Sequence, residues 1–312
     1  MACVMTKVED RADPIEAIAH FMAGFSLEAT RPTADDVAAL AGIVPAGASV
    51  YITAVPRRPA REAIETAARL RRAGFEPVPH LAVRGFASAR ELDDFLGPAS
   101  GEAGVTRVLV IAGDHDEPAG DFRSAIEVID GGALQRHGIT GIGIAAYPDG
   151  HPRISQQDLD RSLADKIQSA EATGLAVHVV TQFGFDAQAI LQWIARLREF
   201  GVEHPVRIGL AGPTNLATLL RYAQRCGVRA SAQGLARQAG LLRQLFAMSA
   251  PDGLVRALAQ ARADKHLGEI APHFFSFGGL QCTARWAAAV AQRRIALEGG
   301  DGFRVEPPPA EG

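Results

Sequence analysis

The chain has 312 residues, 47% of them hydrophobic and 21% charged, with a formal net charge of -3. That composition is close to an ordinary globular average and allows a large buried core. Without a long basic run or basic–aromatic interleaving, it excludes an electrostatic binder of nucleic acid.

Three cysteines, Cys3, Cys226 and Cys282, are scattered and form no Cys-x-x-Cys. This argues against a disulfide scaffold or a structural zinc site. Glu9, Asp10, Asp13 and Glu16 precede any apolar run, unlike a signal peptide. No stretch of about 18 uninterrupted apolar residues exists to span a bilayer. A cytoplasmic chain without membrane or nucleic-acid partners is expected, and a homo-oligomer is compatible with it.

In chain order, short apolar or β-branched runs predict strands at 24–29, 49–55, 76–83, 106–113, 141–148, 176–183, 206–212 and 272–278. Amphipathic helices are predicted at 33–42, 58–73, 88–103, 121–137, 155–173, 186–200 and 214–226. A further helical region covers 233–263, and a last helix runs over 281–297. Thr33, Ser155, Asp186 and Thr214 are the expected caps at helix starts, and Gly74 and Gly174 lie just past helix ends. Near-continuous apolar strands such as Val108–Ile111 suit a parallel sheet buried on both faces. Eight repeats at this length indicate a closed (β/α)8 TIM barrel, with an open doubly wound sheet as the alternative. Residues 15–297 are expected to form one catalytic domain with extra helices between strands seven and eight. The segments 1–14 and 298–312 are expected to be flexible termini.

Polar residues recur where the predicted strands end. Glu28 closes Phe25-Ser26-Leu27-Glu28, Asp114 follows Gly113 after the fourth strand, and Gln182 closes the sixth. In a parallel barrel such positions converge on one mouth. Taken singly, each reads equally well as a loop-facing helix cap, and His80 as a satisfied core histidine. Thr53 ends the second strand, Pro79-His80-Leu81 lies in the third, and the fifth leads into Tyr147-Pro148-Asp149-Gly150-His151-Pro152. No Gly-x-Gly-x-x-Gly follows the first strand, so a Rossmann fingerprint is absent. There is no His-Glu-x-x-His helix or tight group of metal ligands. No predicted strand end carries the lysine that a Schiff-base lyase needs.

These segments resemble, in order, those of the methylenetetrahydrofolate reductase family of barrel flavoenzymes. Phe25-Ser26-Leu27-Glu28 is similar to its first-strand acid segment, Pro79-His80-Leu81 to its third-strand motif and Gly113-Asp114 to its Arg-Gly-Asp. Tyr147-Pro148 through His151-Pro152 resembles its Tyr-Pro-x-x-His-Pro loop. Thr181-Gln182-Phe183-Gly184-Phe185-Asp186 resembles its Thr-Gln-Phe-Phe-Phe-Asp segment. The resemblance spans about residues 24–290 and implies an oxidoreductase acting on CH-NH donors. It would interconvert 5,10-methylene- and 5-methyl-tetrahydrofolate with FAD and NADH or NADPH, in either direction, including the oxidative one of methyl-group catabolism. Alternatives are a flavin-independent folate reductase on the same barrel and a non-catalytic folate-binding homologue.

By that resemblance Glu28 is the general acid for the folate, its pKa raised by an apolar strand end. Asp114 faces pterin and flavin and belongs to the catalytic pair. Gln182 and Phe183 join it in binding the substrate. Thr53, His80, Gly113, Asp114, Tyr147, His151 and Lys166 match positions lining the FAD. The chain departs from the pattern at Ala112, where the family has arginine, and at Gly184, where it has an aromatic residue. It therefore resembles a divergent branch.

Overall fold

Strands that are apolar on both faces need cover on both faces, and alternating helices supply it here. The structure, a computed structural model, describes residues 13–226, 228, 248–262 and 265–307. The first seven strands are β1 (Ser26–Ala29), β2 (Ser49–Ile52), β3 (Glu76–Ala82), β4 (Arg107–Ile111), β5 (Gly141–Ala146), β6 (Ala176–Thr181) and β7 (Val206–Ala211). A short antiparallel pair, β8 (Thr214–Asn215) and β9 (Met248–Ser249), comes next, and then β10 (Ile270–Phe275). The first seven strands and β10 form a closed parallel barrel, shut where Ser26 pairs with His273 and Glu28 with Phe275. The TIM barrel expected from the alternation is the fold observed.

Around it lie α1 (Pro14–Met22), α2 (Ala34–Leu40), α3 (Ala60–Arg72), α4 (Ala89–Gly101), α5 (Ala125–Asp130), α6 (Ala133–Arg136) and α7 (Gln156–Ala172). Further along are α8 (Ala187–Glu199), α9 (Leu216–Arg225), α10 (Asp252–Ala261) and α11 (Leu280–Ala291). The main core lies between the outer strand faces and these helices, with Val108, Ile142, Ile144, Val179 and Ile208 fully buried. Inside the barrel, Tyr51, Val78, Leu109 and Val180 form a second, smaller cluster. Gly143 makes room there for His178: a Cβ at 143 would lie 2.9 Å from His178 Nε2 and 2.9 Å from a Leu109 methyl.

Several boundaries differ from expectation for local reasons. The helix expected over 121–137 breaks into α5 and α6 because Gly132 takes a left-handed turn, φ 70. The last helix stops at Ala291, since Arg293 has φ 63 and reverses the chain. Residues Ile295–Leu297 then form β11, antiparallel to β12 (Phe303–Val305), so the tail past Glu298 turns back and pairs again at Phe303–Val305. Thr214 bridges to Ser249, which leaves the capping of α9 to Asn215, whose side chain accepts from Thr218 N at 2.8 Å. Thr33, Ser155 and Asp186 do cap their helices. Of the helical region expected at 233–263, residues 233–247 and 263 lie outside the described residues, as do 1–12 and 308–312 of the expected flexible termini. Helix α1 was not foreseen; Asp13 caps it, Pro14 opens it, and Ile18, Phe21 and Met22 are fully buried.

Candidate active site at the barrel mouth

Glu28 points inward from the last turn of pleat in β1, level with Tyr51 on β2 and Phe275 on β10. Only 9% of it is exposed, so its carboxylate must find partners within the chain. Thr53 donates to Oε1 at 3.1 Å and also meets the Thr30 hydroxyl at 3.0 Å. On the other oxygen, His273 Nε2 lies 3.3 Å away and His80 Nε2 3.6 Å away. A carboxylate only accepts, so His273 donates from Nε2, and its Nδ1 shares a hydrogen bond with the Ser26 hydroxyl 2.9 Å away. His273 is fully buried and Ser26 nearly so. His80 Nε2, by contrast, is buried without a hydrogen-bond partner.

This arrangement corrects one expectation. Burial pushes the Glu28 carboxyl up, but His80, His273 and Thr53 together hold it below the ordinary carboxylate range. The strand end is polar rather than apolar, so the resting group is an anion. Burial pushes the His80 imidazole down, with Glu28 opposing.

Beneath Glu28, the Tyr51 hydroxyl lies 2.6 Å from His178 Nε2. Burial raises the phenol to about 12 and lowers His178 to about 3, so the phenol donates and the neutral imidazole accepts.

Asp114 enters the mouth from the β4 side after Gly113, whose φ of 90 and closeness to Ala82 leave no room for a Cβ. Burial, and then the Asp114 charge, raise the Tyr147 phenol. The Tyr147 and His151 rings meet edge to face at 5.2 Å. His151 Nδ1 accepts from the Arg153 backbone at 3.2 Å. Gln182 is tied by its own Oε1, which accepts from Phe183 N at 3.1 Å and leaves the amide donors unused. Phe183 is 1% exposed and packs edge-on against Phe185, Phe275 and Phe277, so it supports the wall. Helix α9 lies against that wall, with Tyr222 stacked on Phe277 at 4.1 Å. Cys226, just past α9, is raised to about 11 by burial and then by Asp114 and Glu28, which places all three near one mouth.

Thr53 and His80 thus meet at Glu28, while Gly113, Asp114, Tyr147, His151 and Gln182 line the opposite side. Lys166 lies in the middle of α7, half-buried, its ammonium destabilised by burial. Sequence reading missed His273, Ser26, Tyr51, His178 and Asp149. The last is a carboxyl raised to about 6 by burial and by Asp186. A signal for His273 was present, since Pro272-His273 repeats the Pro79-His80 pattern within a strand.

A family model described as Methylenetetrahydrofolate reductase matches residues 32–265. This chain belongs to the methylenetetrahydrofolate reductase family. It is 28% identical over 140 residues to Methylenetetrahydrofolate reductase 2 of Saccharomyces cerevisiae, covering 43% of this chain and 23% of the yeast protein. It is 27% identical over 161 residues to 5,10-methylenetetrahydrofolate reductase of Pectobacterium carotovorum subsp. carotovorum, covering 51% of each. The match thus spans about half, or less, of the curated relatives' length. Among solved structures, an uncharacterized protein from Clostridium thermocellum that binds two copies of 5-methyl-5,6,7,8-tetrahydrofolic acid shares the fold. Its TM-score is 0.59 at 12% identity, over 88% of this chain and 96% of that one.

The family's flavin suits the ring end of the mouth. The orphaned His80 Nε2 wants a polar partner, Thr53 presents a hydroxyl on the same side, and Asp114 and Tyr147 present further hydrogen-bonding groups on the opposite side. The phosphate end has less support, with Lys166 on α7 and Ala112 in place of an arginine. Among the described residues, no group of three or more side chains could hold a metal ion, and no helix is long and apolar enough to cross a membrane.

Proposed function

We propose that the chain is a cytoplasmic oxidoreductase that interconverts 5,10-methylene- and 5-methyl-tetrahydrofolate, with FAD and with NADH or NADPH as co-substrate. The carrying observation is the Glu28 carboxylate, set among His273, His80 and Thr53 at the mouth of a barrel of this family. Opening the methylene bridge breaks a carbon–nitrogen bond, and the departing nitrogen is a poor leaving group unless it is protonated. Glu28 supplies that proton. It is ionised at rest and takes up a proton from solvent as a ring comes to cover it, because removing the remaining water is the influence here that favours the neutral carboxyl. His273, fixed by Ser26, aims the carboxylate.

Asp114 and the free amide donors of Gln182 hold the pterin edge, and Thr53, His80, Tyr147 and His151 hold the flavin. The flavin, when bound, supplies two-electron hydride transfer between the nicotinamide and the one-carbon unit. The same residues serve the oxidative direction, which would suit methyl-group catabolism. A second reading, hydride transfer without flavin, draws on Ala112 and on the position of Lys166. The methyltetrahydrofolate bound by the Clostridium thermocellum protein supports a folate ligand in either case.

The absorption spectrum of the purified chain, followed by anaerobic addition of NADH or NADPH, tests the reading. Flavin bands that bleach and return on adding 5,10-methylene-tetrahydrofolate are expected. Folate-dependent nicotinamide oxidation without saturable FAD binding selects the flavin-free reading. Absence of both folate binding and turnover overturns the proposal.

A further inference from the structure

The strand beside the acid holds a residue that neither the motifs nor the proposed chemistry uses. Tyr51 is the register partner of Glu28, is 2% exposed, and points to the same interior. Its ring meets three histidines edge to face: His273 at 4.6 Å, His178 at 6.2 Å and His80 at 6.3 Å. The hydroxyl is fastened to His178 at 2.6 Å, and His178 fits because position 143 is glycine. His80 has no hydrogen bond at Nε2, so packing sets the direction in which that nitrogen faces. Arg107 and Arg207 act on Tyr51 and His178 from the strand-start side, and Glu28 acts on Tyr51 from the mouth.

We propose that Tyr51 is a positioning residue for Glu28: its ring fixes how His80 and His273 face the carboxylate, and His178 fixes Tyr51. A phenol tied at its far end cannot swing about its axis, so both neighbouring imidazoles pack against a wall that stays in place. Tyr51 also fills the space below Glu28 and keeps water from reaching His80 from that side. It touches no reacting atom and acts through the histidines. The chemical consequence rests on the reading of Glu28 as the acid, whereas the geometric one does not.

The test is imidazole nitrogen titration by NMR on the full chain, for wild type, Tyr51→Leu and Tyr51→Phe. His80→Gln and His178→Gln assign the two signals. In Tyr51→Leu the His80 midpoint should rise by about 0.5–1 pH unit, as water enters the space the ring leaves. In Tyr51→Phe the ring stays but loses its tie, so His80 should move less than in Tyr51→Leu while His178, freed of its donor, moves up. An unmoved His80 in Tyr51→Leu overturns the proposal. If circular dichroism shows that Tyr51→Leu does not fold, an unmoved His178 in Tyr51→Phe overturns it instead.

Kinetics supply the second readout. In the folate half-reaction, Tyr51→Leu should lower kcat by roughly 10–100-fold, up to the scale of a misplaced catalytic group, with KM changed less than about twofold. Tyr51→Phe should recover most of that loss. A loss confined to KM, or one equal in both variants, counts against positioning. Wild-type protein without any folate half-reaction would overturn the reductase reading and leave the imidazole result to judge Tyr51 alone.

Discussion

At Glu28 two influences oppose each other: burial favours the neutral carboxyl, while His80, His273 and Thr53 favour the anion and prevail. The substitution Glu28→Gln keeps the size of the group but leaves it unable to take up and give a proton. Reduction of bound flavin by nicotinamide should proceed at a near-normal rate, and transfer to methylene-tetrahydrofolate should slow by about 10²–10⁴-fold. Stopped-flow measurement of the two half-reactions decides it; equal slowing of both would assign Glu28 to shaping the site. Asp149 presents the reverse balance, since burial and then Asp186 raise it from 3.8 to about 6. Between those values the folded chain keeps a proton that the unfolded chain has released. Stability therefore falls as pH rises through that window, and the loss is complete above it. Asp149→Asn removes the penalty. Urea unfolding should show a gain of about 2 kcal/mol near pH 8 that shrinks toward zero near pH 4. An increment equal at both pH values would mean that the charge of Asp149 is not what costs stability.

The elements themselves were largely legible, because an apolar run between two amphipathic stretches has few other ways to be buried. What escaped was decided by single residues or by distant partners. Gly132 and Arg293 end helices through left-handed turns, and β12 exists only because Ile295 pairs with Val305. In the site, Glu28, Asp114 and Gln182 were legible as strand-end polar groups. His273 and Tyr51 were not read, although each left a sign: Pro272-His273 repeats Pro79-His80, and Tyr51 stands two residues before Thr53, on the same inner face. Parity places a side chain inside the barrel, and only the closed barrel brings β10 beside β1. The interior also constrains β5. Gly143→Ala would press a methyl to 2.9 Å from both His178 Nε2 and Leu109. The variant should fold but lose about 1–3 kcal/mol in urea unfolding, the usual cost of overpacking. It should also disturb the His178 titration through the Tyr51 contact. A neutral effect on both would show that the interior relaxes around β5 and that Gly143 is not needed for space.

Taken whole, the barrel separates chemistry from support. The polar groups gather where the strands end, while α1, the end of α11 and the β11–β12 pair close the end where the strands begin. Arg293 on that side pairs with Glu16 of α1 at 2.7 Å, and Arg262 donates to the His20 carbonyl at 2.6 Å. Phe303 is the apolar pin of this closure. It is 3% exposed and stacks on Trp286 at 6.0 Å, and Trp286 in turn meets Phe274 of β10 edge-on at 5.6 Å. Phe303→Ala removes a buried ring from a site that a rigid barrel wall keeps from collapsing. It should cost about 3–5 kcal/mol in urea unfolding. Water reaching Trp286 should shift tryptophan emission to the red, whereas Trp193, buried on α8, should contribute no change. The affinity for 5-methyl-tetrahydrofolate should stay within about twofold, because residues at the strand-start end of such a barrel serve stability. A large loss of ligand affinity in a variant that remains folded would mean that the two ends are coupled through β10, and that Phe274 transmits the change to His273.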